Sequence, residues 1–187
     1  MTAVRRVVVG VHGSLGSLQA LRAAADEARA RQAVLVPVIA WTPPGGDFAE
    51  RSHPSPYLRR IWREAARQRL ADAFEAALGG VPDDLPVQAR VERGEAGPVL
   101  TDVADHRDDL LVIGTGRRSA IGRALRKSVG RYCLAHARCP VFAVPPSALV
   151  EELGNGLPRS WSLRRRRVLM LEIEHEIDHR TPPHGVC

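Results

Sequence analysis

The chain has 187 residues, a net charge of +6 and 44% apolar residues, but only 4% aromatic ones. That is enough for about one domain, with a core of Val, Leu, Ala and Ile rather than rings. Three cysteines (Cys133, Cys139, Cys187) without CxxC spacing argue against a disulfide framework or a thiolate zinc site, and no run reaches the ~18 apolar residues of a membrane span.

The first strong signal is Val7-Val8-Val9-Gly10-Val11, a β-branched run suited to a strand buried on both faces. After His12-Gly13-Ser14, Leu18, Leu21, Ala25 and Ala28 recur at helical spacing between Leu15 and Arg31, with Ser14 or Ser17 placed to cap the start. Ala33 to Trp41 is a second buried run. It contains Pro37, which favours an edge, a bulge or an unpaired donor there. Residues 42–56 read as loop, and Tyr57 to Leu78 as a long amphipathic helix closed by Gly79-Gly80. Val87 to Val91 alternates as a strand, Gly94 to Ala104 suits a short helix with Pro98 near its first turn, and Asp109 to Gly114 is a fully apolar strand after its first residue. A Gly/Arg loop from Gly114 to Lys127 leads to a helix at Ser128–Ala137 and a last strand at Cys139–Val144.

Strands alternating with helices predict βαβ units with right-handed crossovers. The expected fold is α/β, a five-stranded parallel sheet with helices on both faces, within residues 1–146. Residues 147–187 remain as a poorly ordered tail. It carries six arginines and six acids, so the whole +6 belongs to residues 1–146, which hold 21 basic and 15 acidic residues. Lys127 is the single lysine; the arginine excess reads as the mark of a GC-rich coding sequence. The opening MTAVRRVVVG has too short an apolar run for a secretory signal, and the expectation is a reduced, soluble, cytoplasmic protein with no membrane partner.

Ligands of doubly wound sheets bind at the C-terminal strand ends, where strand order reverses. Two loops have that character, Gly10–Ser14 and Gly114–Ser128. The second holds Gly114, Gly116 and Gly122 with Arg117, Arg118, Arg123, Arg126 and Lys127, and no acid. Glycines let backbone N–H groups approach an anion, and the following helix start adds a favourable dipole, with Ser128 and Val129 at its head. A solvated basic loop with a capping serine fits the same composition.

The segments VVVGVHGSLGSLQALRAAADEARARQA and GTGRRSAIGRALRKSVGRYCLAHARCPVFAVP resemble the universal stress protein family over roughly residues 5–146. The resemblance implies a Rossmann-like fold (adenine nucleotide alpha hydrolase-like), a homodimer through the last strand, and a division into ATP-binding and non-binding members. Binding members carry G-x2-G-x9-G-[ST] after the fourth strand and an aspartate in the first loop. Gly114 and Ser128 match that pattern, whereas Arg117 and Lys127 replace its second and third glycines and His12 replaces the aspartate. The resemblance also places Gly10, Val11 and Ala40 along the adenosine pocket. Gly116 stands one residue early and lends some of the missing freedom. Two lost glycines remove part of a backbone cradle and add two charges, so ATP is expected to bind weakly if at all.

The other residues have plainer readings. His12 suits a loop histidine, with a pH switch or a polar lining of the nucleotide pocket as the functional readings; Cys133 and Cys139 suit buried inert thiols, and Asp105, Asp108 and Asp109 suit a turn. Trp41, Trp62 and Trp161 are too dispersed for a base-stacking platform, so no sequence-specific nucleic acid is expected. His175 and His179, set among acids, suit a solvated segment better than a metal site; no metal is predicted. With no Walker-type motif and no candidate base, no enzyme is expected, and the resemblance implies a regulator of the stress response. The alternative is a dimeric interaction module of the same fold that binds no nucleotide and has an unidentified protein partner.

Overall fold

A computed structural model of the chain describes residues 4–46, 51, 54–115 and 128–145. Gly116, Arg117 and Lys127 of the glycine loop lie outside the described residues. So does the tail 147–187, with Trp161, His175, His179 and Cys187.

The elements in chain order are β1 (Arg6–Gly10), α1 (Leu15–Arg31), β2 (Val34–Trp41), α2 (Pro56–Leu78), β3 (Arg90–Arg93), α3 (Ala96–Val103), β4 (Asp109–Gly114), α4 (Val129–His136) and β5 (Val141–Val144). The five strands form one sheet in the order β3-β2-β1-β4-β5, and every pairing is parallel. This is the expected five-stranded parallel sheet with helices on both faces.

Strand alternation divides the core into two layers. Val7 and Val9 of β1, Leu35 and Ile39 of β2, and Leu110 and Val112 of β4 face α1 and α2. Val8, Val36, Val38, Leu111 and Ile113 face α3 and α4. On the first side the helices contribute mostly small residues, such as Ala20, Ala24, Ala25 and Ala28 from α1 and Ala66, Ala73 and Ala77 from α2, with Leu21, Leu70 and Phe74 as the larger ones. Each fully buried Leu or Ile stabilises the fold by about 1.5–3 kcal/mol, and the alanines let the helices lie close to the sheet. No helix among the described residues is long and apolar enough to cross a membrane.

Pro37 is buried in β2 between β1 and β3, so it is not at an edge. The β2–β3 ladder is interrupted there instead, between the Leu35–Val87 bridge and the Val38–Arg90 pair. Leu35 points its N–H and C=O toward residues 86–88, so Pro37, two residues on, presents its missing donor to the same side.

At the other end of the sheet the structure corrects the reading of Asp109 as a turn residue. It is the first residue of β4, is 1% exposed, and lies opposite Arg6 in the register. The Arg6 guanidinium donates to both of its carboxylate oxygens, Nε to Oδ1 at 2.8 Å and Nη2 to Oδ2 at 2.6 Å, and reaches Asp105 at 2.9 Å. The His106 amide donates to Asp109 Oδ2 at 3.1 Å. This fork holds the N-terminal ends of β1 and β4 together, at the end of the sheet opposite Gly10 and Gly114. It raises the pKa of Arg6 and holds Asp105 below the usual carboxylate range, in each case chiefly through the hydrogen bond between them and their partners.

Candidate functional site at the ends of β1 and β4

In the order β3-β2-β1-β4-β5 the chain leaves β1 toward one edge and returns to β4 on its other side. Order therefore reverses between β1 and β4, and their C-terminal ends flank a crevice. Gly10 ends β1, Val11 and His12 follow it, and Gly114 ends β4. Ala40 lies near the end of β2, two residues past the Gly10–Val38 pair. The pairing thus brings Gly10, Val11, Ala40 and Gly114 to one end of the sheet.

The β1–α1 turn is held by its own side chains. Val11 donates to the Val38 carbonyl at 2.8 Å, which keeps the chain against β2 past the end of β1. Gly13 takes φ +81°, a left-handed conformation that favours glycine. Ser14 is the N-cap of α1: its Oγ accepts from the Ser17 amide at 3.3 Å. Ser17, buried, donates its hydroxyl to the Ser14 carbonyl at 2.9 Å and accepts from the His12 amide at 3.3 Å. The exposed His12 ring places Nε2 3.2 Å from Ser14 Oγ. His12 thus stands in the loop, tied to the turn that caps α1.

Gly114 is set against the first turn of α1. A Cβ at this position would lie 2.4 Å from the carbonyl oxygen of Gly16. The glycine is demanded by backbone approaching backbone, a close contact that motif spacing does not reveal. Thr115 then turns the chain toward β5, its amide and hydroxyl both donating to the Val144 carbonyl at 2.8 and 3.0 Å.

Ser128 is the N-cap of α4, and Val129 is the first residue of that helix. An ideal Cβ on Gly130 would be 3.5 Å from Ile113 Cδ1, which places the first turn of α4 over the C-terminal end of β4. The contrast with α1 is chemical. Ser14 spends its hydroxyl on its own helix, whereas the Ser128 hydroxyl makes no capping bond; the first turns of both helices are free of acids. The free N–H groups of a helix start, with the positive end of its dipole, suit an anion.

No group of three or more His, Cys, Asp or Glu among the described residues is arranged to hold a metal. Cys133 is fully buried and Cys139 half-buried. Burial pushes the Cys133 thiol up to about 11 and also raises that of Cys139.

The model of the universal stress protein family matches residues 3–145. A universal stress protein of Mycobacterium tuberculosis is 32% identical over 146 residues, which is 74% of this chain and 47% of that protein. The chain therefore spans about half the length of that relative. A universal stress protein of Thermus aquaticus is 31% identical over 142 residues, 75% of this chain and 98% of the relative. Among solved structures, a universal stress protein in complex with cAMP is 27% identical, with a TM-score of 0.52, and the match covers 78% of this chain and all of that one.

Proposed function

The chain belongs to the universal stress protein family, and we propose that it is a cytoplasmic stress-response regulator whose β1–β4 crevice weakly binds an ATP-type nucleotide. The observation that carries this reading is the start of α4. There a Ser128 hydroxyl that makes no capping bond and an acid-free first turn lie over the end of β4, beside a rim of Gly10, Val11, Ala40 and Gly114. In this reading the phosphates lie at the α4 start and the adenosine lies along Val11 and Ala40. The similar cAMP-bound protein supports the choice of nucleotide class. The protein acts by holding the nucleotide, not by turning it over.

Arg117 and Lys127 supply charge in place of glycine freedom, so affinity rests on electrostatics that salt screens over ~8 Å at physiological strength. Calorimetric titration with ATP and GTP at low and high salt tests this. Weak binding with little preference for adenine, fading as salt rises, is expected. Tight, salt-insensitive, ATP-selective binding would refute the weighting of charge over shape, and no heat at low salt would refute nucleotide binding.

A second reading is favoured by β5. It pairs with β4 on one side, while Phe142 is 40% exposed and Ala143 is exposed too. As a homodimer through this last strand, the protein is an interaction module that needs no nucleotide. Ultraviolet absorbance of the supernatant after denaturation separates the two readings, because co-purified nucleotide is expected only in the first.

A further inference from the structure

α2 is longer than its packing on the sheet requires. Its buried residues begin only at Ala66. Before that, Trp62 alone packs partly against the core, and residues 56–61 and 63–65 are exposed. A helix end standing in water is ordinarily polar on its outer face. Here Tyr57, Leu58 and Ile61 are 59%, 39% and 43% exposed. Tyr57 and Ile61 are four residues apart, Leu58 and Ile61 three, and Ile61 and Ala65 four. At about 3.6 residues per turn they share one face, turned away from the stripe of Ala66, Leu70, Ala73 and Phe74 that meets the core. The helix already presents another face to the sheet, so core packing does not account for these side chains.

Charge gives the second half of the pattern. Residues 56–70 contain five arginines and one acid, Glu64, which stands 3.6 Å from Arg67. On the helical projection Arg60, Arg63 and Arg67 lie to one side of the apolar face and Arg69 to the other. Arg59 and Arg60 are in the first turn, which has no acid. Cations there oppose the helix dipole, so helix stability alone does not favour the arrangement. A second copy of the chain would bring the same arginines face to face and be repelled. An anionic surface is attracted. Because these apolar side chains are exposed at a helix end, a deformable surface of headgroups receives them more readily than a rigid protein face.

We infer that Tyr57, Leu58 and Ile61, flanked by Arg60, Arg63, Arg67 and Arg69, form a docking ridge for the surface of an anionic lipid bilayer. The association is peripheral and reversible, since a few apolar side chains and a basic patch make a weak anchor. It is independent of the nucleotide reading.

Co-sedimentation of the full chain with vesicles of phosphatidylcholine, alone or mixed with phosphatidylglycerol, tests the inference. Binding is expected to the mixed vesicles only and to weaken with salt. Each arginine near such a surface contributes roughly fivefold in partitioning, so Arg60→Gln with Arg63→Gln and Arg67→Gln lowers binding on the order of 100-fold. Leu58→Ser with Ile61→Ser lowers it at least about tenfold, as Tyr57→Ser does to a smaller degree. These positions are outside the core, and circular dichroism checks that each variant stays folded. Three outcomes overturn the inference: no binding to mixed vesicles, equal binding to pure phosphatidylcholine, or binding that tracks the arginines but ignores all three apolar positions. An acidic amphipathic peptide that binds the ridge, when mixed vesicles do not, would assign it to a protein partner instead.

Discussion

Replacing Gly114 with alanine puts a Cβ 2.4 Å from the carbonyl oxygen of Gly16 and 2.9 Å from its carbonyl carbon. Both are backbone atoms, so no side-chain rotation relieves the clash. To reach ordinary contact, the end of β4 or the first turn of α1 must move by about 1 Å. Moving α1 disturbs the Ser14 cap and the His12–Ser17 bond along with it. Overpacking a dense site costs about 1–3 kcal/mol, and a backbone clash belongs near ~3. At about 2–4 °C per kcal/mol for a chain of this size, the midpoint falls by roughly 6–12 °C. Gly13→Ala is the control. It meets nothing within 4 Å but takes φ +81°, a left-handed cost of ~1–2 kcal/mol, and its loss should be about half as large. Thermal unfolding of the nucleotide-free protein measures both. If Gly114→Ala melts with the parent, the packing explanation is wrong, and the glycine is there for a ligand.

Asp109→Ala leaves Arg6 facing an emptied buried site and should destabilise the protein by about 3 kcal/mol, the lower end for a broken buried pair because Arg6 is itself 26% exposed; urea unfolding checks this. Asp105 is held below its ordinary value of 3.8 chiefly by the hydrogen bond from Arg6. Its stabilisation is therefore present above that value and lost as pH falls through the folded pKa. Asp105→Asn should accordingly be less stable than the parent at neutral pH and converge with it on acidification, a convergence that urea midpoints measured across pH would reveal. With its pKa pushed up to about 11 by burial, Cys133 should alkylate on the order of 100-fold more slowly in the native protein than in urea at the same pH; peptide mass analysis follows its modification directly.

Elements bounded by composition were readable from the sequence. DLLVIG forms β4 over the expected residues, and the Ala/Leu stretch from Leu15 to Arg31 forms α1. The edges shifted for physical reasons. The strand expected at Val87–Val91 runs from Arg90 to Arg93 because the gap opposite Pro37 leaves only the Val87 bridge ahead of it. The last strand begins at Val141 rather than Cys139: Pro140 has no N–H to offer, although its carbonyl accepts from Leu111. Asp109 was hidden because a carboxylate after two other aspartates resembles a turn. Its partner, Arg6, is 103 residues away and reaches it only through the parallel register. A charged residue opening each of two apolar strands, RVVVG and DLLVIG, was the available signal.

The rim of the crevice consists largely of backbone and small side chains, at Gly10, Val11, Ala40 and Gly114, and Gly114 is fixed by its approach to Gly16. The sheet therefore sets the shape of this rim, while the substitutions at His12, Arg117 and Lys127 change the charge and the number of glycines in the two loops. That separation makes the triple variant His12→Asp, Arg117→Gly, Lys127→Gly informative. It lowers the charge at neutral pH by about three units, which by electrostatics alone weakens attraction for any polyphosphate. It also restores two positions where backbone N–H groups can approach a phosphate without a Cβ, and returns an acceptor to the first loop. Shape and charge thus push in opposite directions. If the rim is already formed, ATP affinity rises, GTP affinity does not, and the salt dependence flattens. Calorimetric titration of parent and variant with both nucleotides reads all three quantities. An equal loss of ATP and GTP binding in the variant would mean that charge, not the glycine cradle, is what this crevice uses.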